Sequence, residues 1–111
     1  MRAIDVAAVQ VAAIPGAVEH NRARFATLAR EHAAGADLIV APELLPSGYD
    51  LAVLAAQGDA LAEPLDGPTV TATAELAAEL DSTIVVGLLE RDGDARYDSV
   101  VVVDACGLLG T

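Results

Sequence analysis

Glu43 is the residue whose setting best suits chemistry. A short apolar run, Asp37-Leu38-Ile39-Val40-Ala41, leads directly into the rigid loop Pro42-Glu43-Leu44-Leu45-Pro46-Ser47-Gly48-Tyr49-Asp50. Ligand sites of open α/β sheets lie just beyond the carboxyl ends of strands. A carboxylate held there can lose part of its hydration, which raises its pKa towards that of a useful general base. Taken alone, the same residue reads first as a solvated glutamate that ends a strand. Other reactive types are sparse. Cys106 is the single cysteine and lies in Ala105-Cys106-Gly107, where a small, half-buried turn residue is the simplest reading. His20 and His32 stand twelve residues apart on one predicted helix, too far for a shared ligand face, and read as surface or edge residues. Ser47, Ser82 and Ser99 lack a nearby His or the Gly-x-Ser-x-Gly setting of a nucleophile elbow. Gly107-Leu108-Leu109-Gly110 is not a dinucleotide fingerprint. Tyr49 fits a pocket mouth and loop packing equally well.

Composition narrows the classes. The chain has 111 residues, enough for about one small domain. Seventeen acidic residues against six basic ones give a net charge of -11. All the basic residues are Arg, so no lysine chemistry is available within these residues. The acidic balance argues against nucleic-acid binding and against electrostatic attachment to an anionic membrane. One cysteine excludes an internal disulfide and a cysteine-based zinc knuckle, and with two histidines no metal site is expected. No cofactor is expected either. A lone cysteine fits a reducing compartment, hence a cytoplasmic location. Met1 to Val18 is rich in Ala and Val and carries Arg2, but Asp5 and Gln10 interrupt it, so a secretory signal is not favoured. No apolar run approaches the ~18 residues of a membrane helix. Hydrophobic residues make up 54% of the chain and aromatics 3%, which predicts an interior of Ala, Val and Leu.

Periodicity supplies the elements that must position Glu43. Residues 2–11 read as a mostly buried strand, ended by Ile14-Pro15-Gly16. Residues 17–34 read as an amphipathic helix with a stripe of Val18, Phe25, Leu28, Ala29 and His32, and Gly35 at its C-terminal cap. Residues 37–41 read as a strand covered on both faces, stopped by Pro42. One or two helical turns are expected over 51–56, then an irregular stretch over 57–67. Residues 68–80 read as a helix capped by Asp66 or Gly67, with Pro68 first and Val70, Ala74, Ala77 and Leu80 on one face. Residues 83–89 read as a buried strand, and Asp92-Gly93 as a hairpin turn into a partner strand over 96–104. Leu108-Leu109 begins another strand. Asp59, Glu63, Asp66, Glu75 and Glu79 read as a solvated face.

The order β-α-β-(α)-α-β-β-(β) is an α/β layer pattern without repeat or linker. Thr111 falls inside a candidate strand with no cap or polar tail after it. Helices on one face of the sheet would leave the other bare. The chain therefore reads as interrupted, with its missing part covering that face.

Pro42-Glu43-Leu44-Leu45-Pro46-Ser47-Gly48-Tyr49 resembles the first catalytic motif of the nitrilase superfamily, the carbon–nitrogen hydrolases. Further stretches agree in order: Val6 to Gln10 with the first strand, the helix bearing Asn21 and Phe25 with the first helix, and Gly35 to Glu43 with the approach to the catalytic Glu. Ile84 to Gly87 with Glu90 resembles the next strand, and Tyr97-Asp98-Ser99-Val100 through Asp104 and Gly107 the hairpin before the second motif. The resemblance covers essentially the whole chain. It implies that residues 1–111 are the N-terminal portion of an αββα sandwich. It also implies hydrolysis of a small amide, N-carbamoyl compound or nitrile by a Glu-Lys-Cys triad, and a homo-oligomer when complete. Of the triad only Glu43 carries over. There is no Lys, and Cys106 precedes the place where the nucleophile is expected. These residues alone are therefore expected to be inactive. Asp98 departs from the Asn often found beside that Tyr, a change expected to alter only a local turn. A non-catalytic interaction module of the same fold and an unrelated small ligand-binding domain are the alternatives.

Overall fold

A computed structural model describes residues 1–111. Eight elements follow one another: β1 (Val6–Ala8), α1 (Val18–His32), β2 (Leu38–Val40), α2 (Leu51–Leu61), α3 (Pro68–Leu80), β3 (Thr83–Asp92), β4 (Ala95–Asp104) and β5 (Gly107–Gly110). They form one five-stranded sheet in the order β1-β2-β3-β4-β5. The first three strands are parallel, and β4 and β5 return antiparallel. Parallel neighbours need crossovers, and α1 and α2–α3 supply them.

The sheet's two faces differ. Side chains alternate along a strand, and Ile39, Ile84, Val86, Leu88, Val101 and Val103 point to one face, fully buried. They pack with Phe25 and Ala29 of α1 and Val70, Leu76 and Ala77 of α3. The ladder pairs Val40 with Val85 and Val85 with Val102, on the other face. Along that face Val6 and Val100 remain about half exposed. Of the helices only α2 overlies it, at the hairpin end. There Gly58 approaches Leu89, and Asp59 bonds Arg96 at 2.7 Å.

Several elements differ from the sequence expectations. The first strand pairs over Val6–Ala8 only, and its residues are mostly exposed, because an edge strand covered on one face cannot bury both sides. In β2, an interior strand, only Ile39 is fully buried, because its other face is likewise uncovered. The helix expected over 51–56 runs to Leu61 through Gly58. An interior Gly costs about 1 kcal/mol against Ala, but Asp50 caps the start by accepting from Val53 N at 3.0 Å. The stretch 57–67 is therefore half helical. His32, at the end of its stripe, is exposed, as expected of a surface residue. The hairpin forms one residue later than its Asp-Gly signal suggests, with Gly93 and Asp94 at the turn and Gly93 at a φ of 57°. Cys106 is exposed rather than half-buried. Glu63 does not belong to a solvated face. Its carboxylate accepts from Thr69 N at 2.9 Å and caps α3, where Gly67 has no side chain to do so.

Candidate functional site

The loop after β2 continues along β3 rather than leaving the sheet. Ala41 N donates to Val85 O at 2.8 Å and Leu45 N to Gly87 O at 2.9 Å. Between those two bonds the backbone of Pro42, Glu43 and Leu44 arches over Gly87. A Cβ on Gly87 would lie 2.7 Å from Glu43 Cα, 2.8 Å from Leu44 N and 2.9 Å from Pro42 O. No side chain fits there, so glycine is required for the close approach. Because Gly87 alternates with the buried Val86 and Leu88, the arch and Glu43 lie on the bare face.

Leu44 completes the arch in a left-handed conformation, φ 49°. For a residue other than glycine this costs on the order of 1–3 kcal/mol and persists only where surroundings enforce it. The enforcement is visible. Leu44, Leu45, Pro46 and Ser47 are all buried. Asn21, fully buried in α1, accepts from Ile14 N at 2.8 Å and donates to Ile14 O and Pro46 O, each at 2.9 Å. Gly16 N donates to Ser47 O at 2.8 Å. The loop is thus clamped to the entrance of α1, and Glu43 projects from a fixed base.

The Glu43 carboxyl is exposed and its pKa lies above the ordinary glutamate value. The leading cause is a hydrogen bond with the Asp98 carboxyl, followed by desolvation and by repulsion between the two charges. Burial was the cause expected from sequence; a neighbouring carboxyl is the larger one. Asp98 sits within β4, paired with Leu89, and not in a turn. It therefore shares the bare face with Gly87 and Glu43. Cys106 stands in the β4–β5 turn, with its amide N donating to Asp104 Oδ1 at 2.8 Å. His20 and His32 lie on α1. Nothing brings these groups to Glu43. Ser47 is enclosed in the loop and Ser82 donates to Ala36 O at 2.6 Å, both in structural roles. Tyr49 is exposed beside α2.

The indentation between α1 and α3, lined by Arg22, Phe25, Leu45, Thr69 and Leu76, belongs to the helical side of the sheet and does not reach Glu43. Three residues that matter to the arch entered the sequence reading only through the family resemblance and received no functional role there. They are Asn21, Gly87 and Asp98. A polar residue on an apolar helical stripe and a glycine inside a valine-rich strand were the available signals.

The carbon–nitrogen hydrolase family model matches residues 5–111. The chain belongs to the carbon–nitrogen hydrolase family. A nitrilase of Pyrococcus abyssi is 36% identical over 76 residues, which cover 68% of this chain and 29% of the relative. An N-carbamoylputrescine amidase of Oryza sativa subsp. japonica is 30% identical over 105 residues, covering 94% of this chain and 35% of the relative. The chain thus spans about a third of the length of these curated relatives. A crystal structure of a CN-hydrolase superfamily protein from Xanthomonas campestris, with an arsenic adduct in its active site, superposes with a TM-score of 0.80 at 24% identity. It covers 94% of this chain and 37% of that one, so the α/β sheet and its helices are a nitrilase-like fold covering part of that structure. No helix is long and apolar enough to cross a membrane.

Proposed function

We propose that these residues form the N-terminal portion of a hydrolase of non-peptide carbon–nitrogen bonds and that Glu43 is its general base. The substrate class is a small amide, N-carbamoyl compound or nitrile. Glu43 would take the proton of a cysteine thiol, whose pKa of about 8.5 leaves it mostly protonated at neutral pH. The thiolate would attack the carbonyl or nitrile carbon, and a lysine ammonium would stabilise the charge that develops. Ammonia or an amine would leave, and water would release the acid. The Lys and the nucleophilic Cys of this triad are not among these residues, so the 111 residues alone are inactive in this reading. Family membership and the amidase and nitrilase relatives support the reaction class. The observation that supports Glu43 is its fixed, exposed position on the arch over Gly87, with a carboxyl of raised basicity.

A small-molecule substrate rather than nucleic acid or membrane, and a cytoplasmic location, go with the acidic charge and the single exposed cysteine. A homo-oligomer of the complete enzyme is part of the same proposal. The test is release of ammonia or amine. In a polypeptide that carries these residues together with the Lys and Cys, Glu43→Gln should lower kcat/KM by about 10²–10⁴-fold, the usual contribution of a general base. The 111 residues alone should release nothing. Turnover by them that survives Cys106→Ala would overturn the proposal. The bare valine face also suits a non-catalytic interaction module. For that reading, the isolated chain would unfold cooperatively as a monodisperse species.

A further inference from the structure

The fold places two carboxyl-bearing residues on the bare face, and one of them is unused by the proposed reaction. Glu43 reaches that face from the arch over Gly87. Gly87 pairs with Val100, and Asp98 is the next residue of β4 to point the same way. The backbone of both partners is fixed, one by the β3–β4 ladder and the other by the bonds that flank the arch. Two carboxylates cannot hydrogen-bond to each other without a proton between them. The cations that could replace that proton are engaged or distant: Arg22 and Arg24 belong to α1, and Arg22 lines the indentation on the helical side. β1, β2 and β5 contribute Val6, Ala8, Leu38, Val40 and Leu109 to this face and no charge. From β4, Arg96 is held by Asp59 of α2 at 2.7 Å. From β3, Arg91 lies at the hairpin end, opposite Arg96. The remaining ion pairs join Arg2 to Asp37, Arg30 to Glu79 and His32 to Glu31, all away from the arch.

We propose that Asp98 is a positioning residue for Glu43, holding its carboxyl towards the bare face through one proton shared between the two side chains. The inference rests on Glu43 being the base. Its chemistry is that of paired carboxylates at close range, which do not both ionise readily and titrate as a unit. Glu43 becomes free to accept a proton only at a pH above the ordinary glutamate range, and it is then a stronger base towards a thiol. The acidic limb of the pH–activity profile is set by the pair and not by Glu43 alone. Replacing Asp98 with an amide supplies a hydrogen-bond donor that needs no shared proton, so it should preserve the contact and lose the effect on basicity.

The test is a ¹³C-carboxyl NMR titration of the 111-residue chain, with Glu43 assigned through Glu43→Gln. In the unaltered chain the Glu43 midpoint should lie above the ordinary glutamate range. In Asp98→Asn and in Asp98→Ser it should fall back into that range, with the amide spectrum otherwise retained. An ordinary midpoint in the unaltered chain overturns the proposal whatever the variants do. So does a raised midpoint that both folded variants leave unmoved. In a polypeptide carrying Lys and Cys, Asp98→Asn should shift the acidic limb of kcat/KM to lower pH. The titration requires no turnover. Its failure would leave Glu43 standing as the base, whereas full activity of Glu43→Gln would remove the base and leave the carboxyl pair intact.

Discussion

Val100 and Val101 are neighbours in β4, yet Val100 is 51% exposed and Val101 is sealed. The same contrast runs across the whole sheet. One face, built on Ile84, Val86, Leu88, Val101 and Val103, is closed by α1 and α3. The other carries Val6, Val85, Val100 and Val102, with α2 as its one helix at the far end and the arch over Gly87. Every group implicated in chemistry, Glu43, Gly87 and Asp98, belongs to the second face. The covered face holds the fold and the bare face holds the proposed site, so substitutions should separate the two.

The largest separation should appear in a pair of truncations. Ile84→Ala empties a sealed site and should cost about 2–5 kcal/mol of unfolding free energy in urea. Val100→Ala removes a half-exposed side chain and should cost less than about 1 kcal/mol. Equal losses would mean that the bare face is closed in solution. Gly87→Ala tests the boundary between the faces. Its methyl group would meet the backbone of the arch and not a flexible side chain. A loss of about 1–3 kcal/mol is expected, together with a displaced Glu43 carboxyl resonance. A neutral effect on both would show that the arch does not rest on Gly87. The smallest effect should come from the helical side, where Arg30 and Glu79 form a two-point bridge at 2.8 and 2.9 Å between α1 and α3. Arg30 holds the Glu79 carboxyl below its ordinary range, chiefly through this hydrogen bond. A depressed carboxyl adds stability above its unfolded pKa and loses it as pH falls through the folded one. Arg30→Gln should therefore lower the denaturation midpoint slightly at neutral pH, and the difference should vanish on acidification. The Glu43 carboxyl carries the opposite sign. Its raised pKa favours the folded state at low pH, and that contribution fades as pH rises through the raised value. A gap between Arg30→Gln and the unaltered chain that persists in acid would assign the bridge's effect to packing.

Helix α3 was legible because its signals are local. Pro68 follows Gly67, and Val70, Ala74 and Ala77 repeat at helical spacing. The hairpin was legible to within one residue for a similar reason. The extent of α2 was not, because Gly58 argues against a helix and its seat on Leu89 is a tertiary fact. The faces of the strands were not legible either. Val100 to Val103 is an unbroken apolar run, and nothing in it says that alternate members lack a cover. Glu43 stood out through the motif around it, whereas Asp98 read only as a departure from the family's Asn and not as a neighbour of Glu43. Asp98 lies 55 residues further along the chain, and only the β3–β4 register sets it beside Gly87.

The amide of Asn21 joins three segments, through Ile14, its own helix and Pro46. Opening the loop that bears Glu43 therefore means breaking bonds at the first turns of α1 as well. The two belong to one cooperative opening unit. The loop thus shares the stability of a docked helix, and its anchor lies 22 residues upstream of the carboxyl it presents.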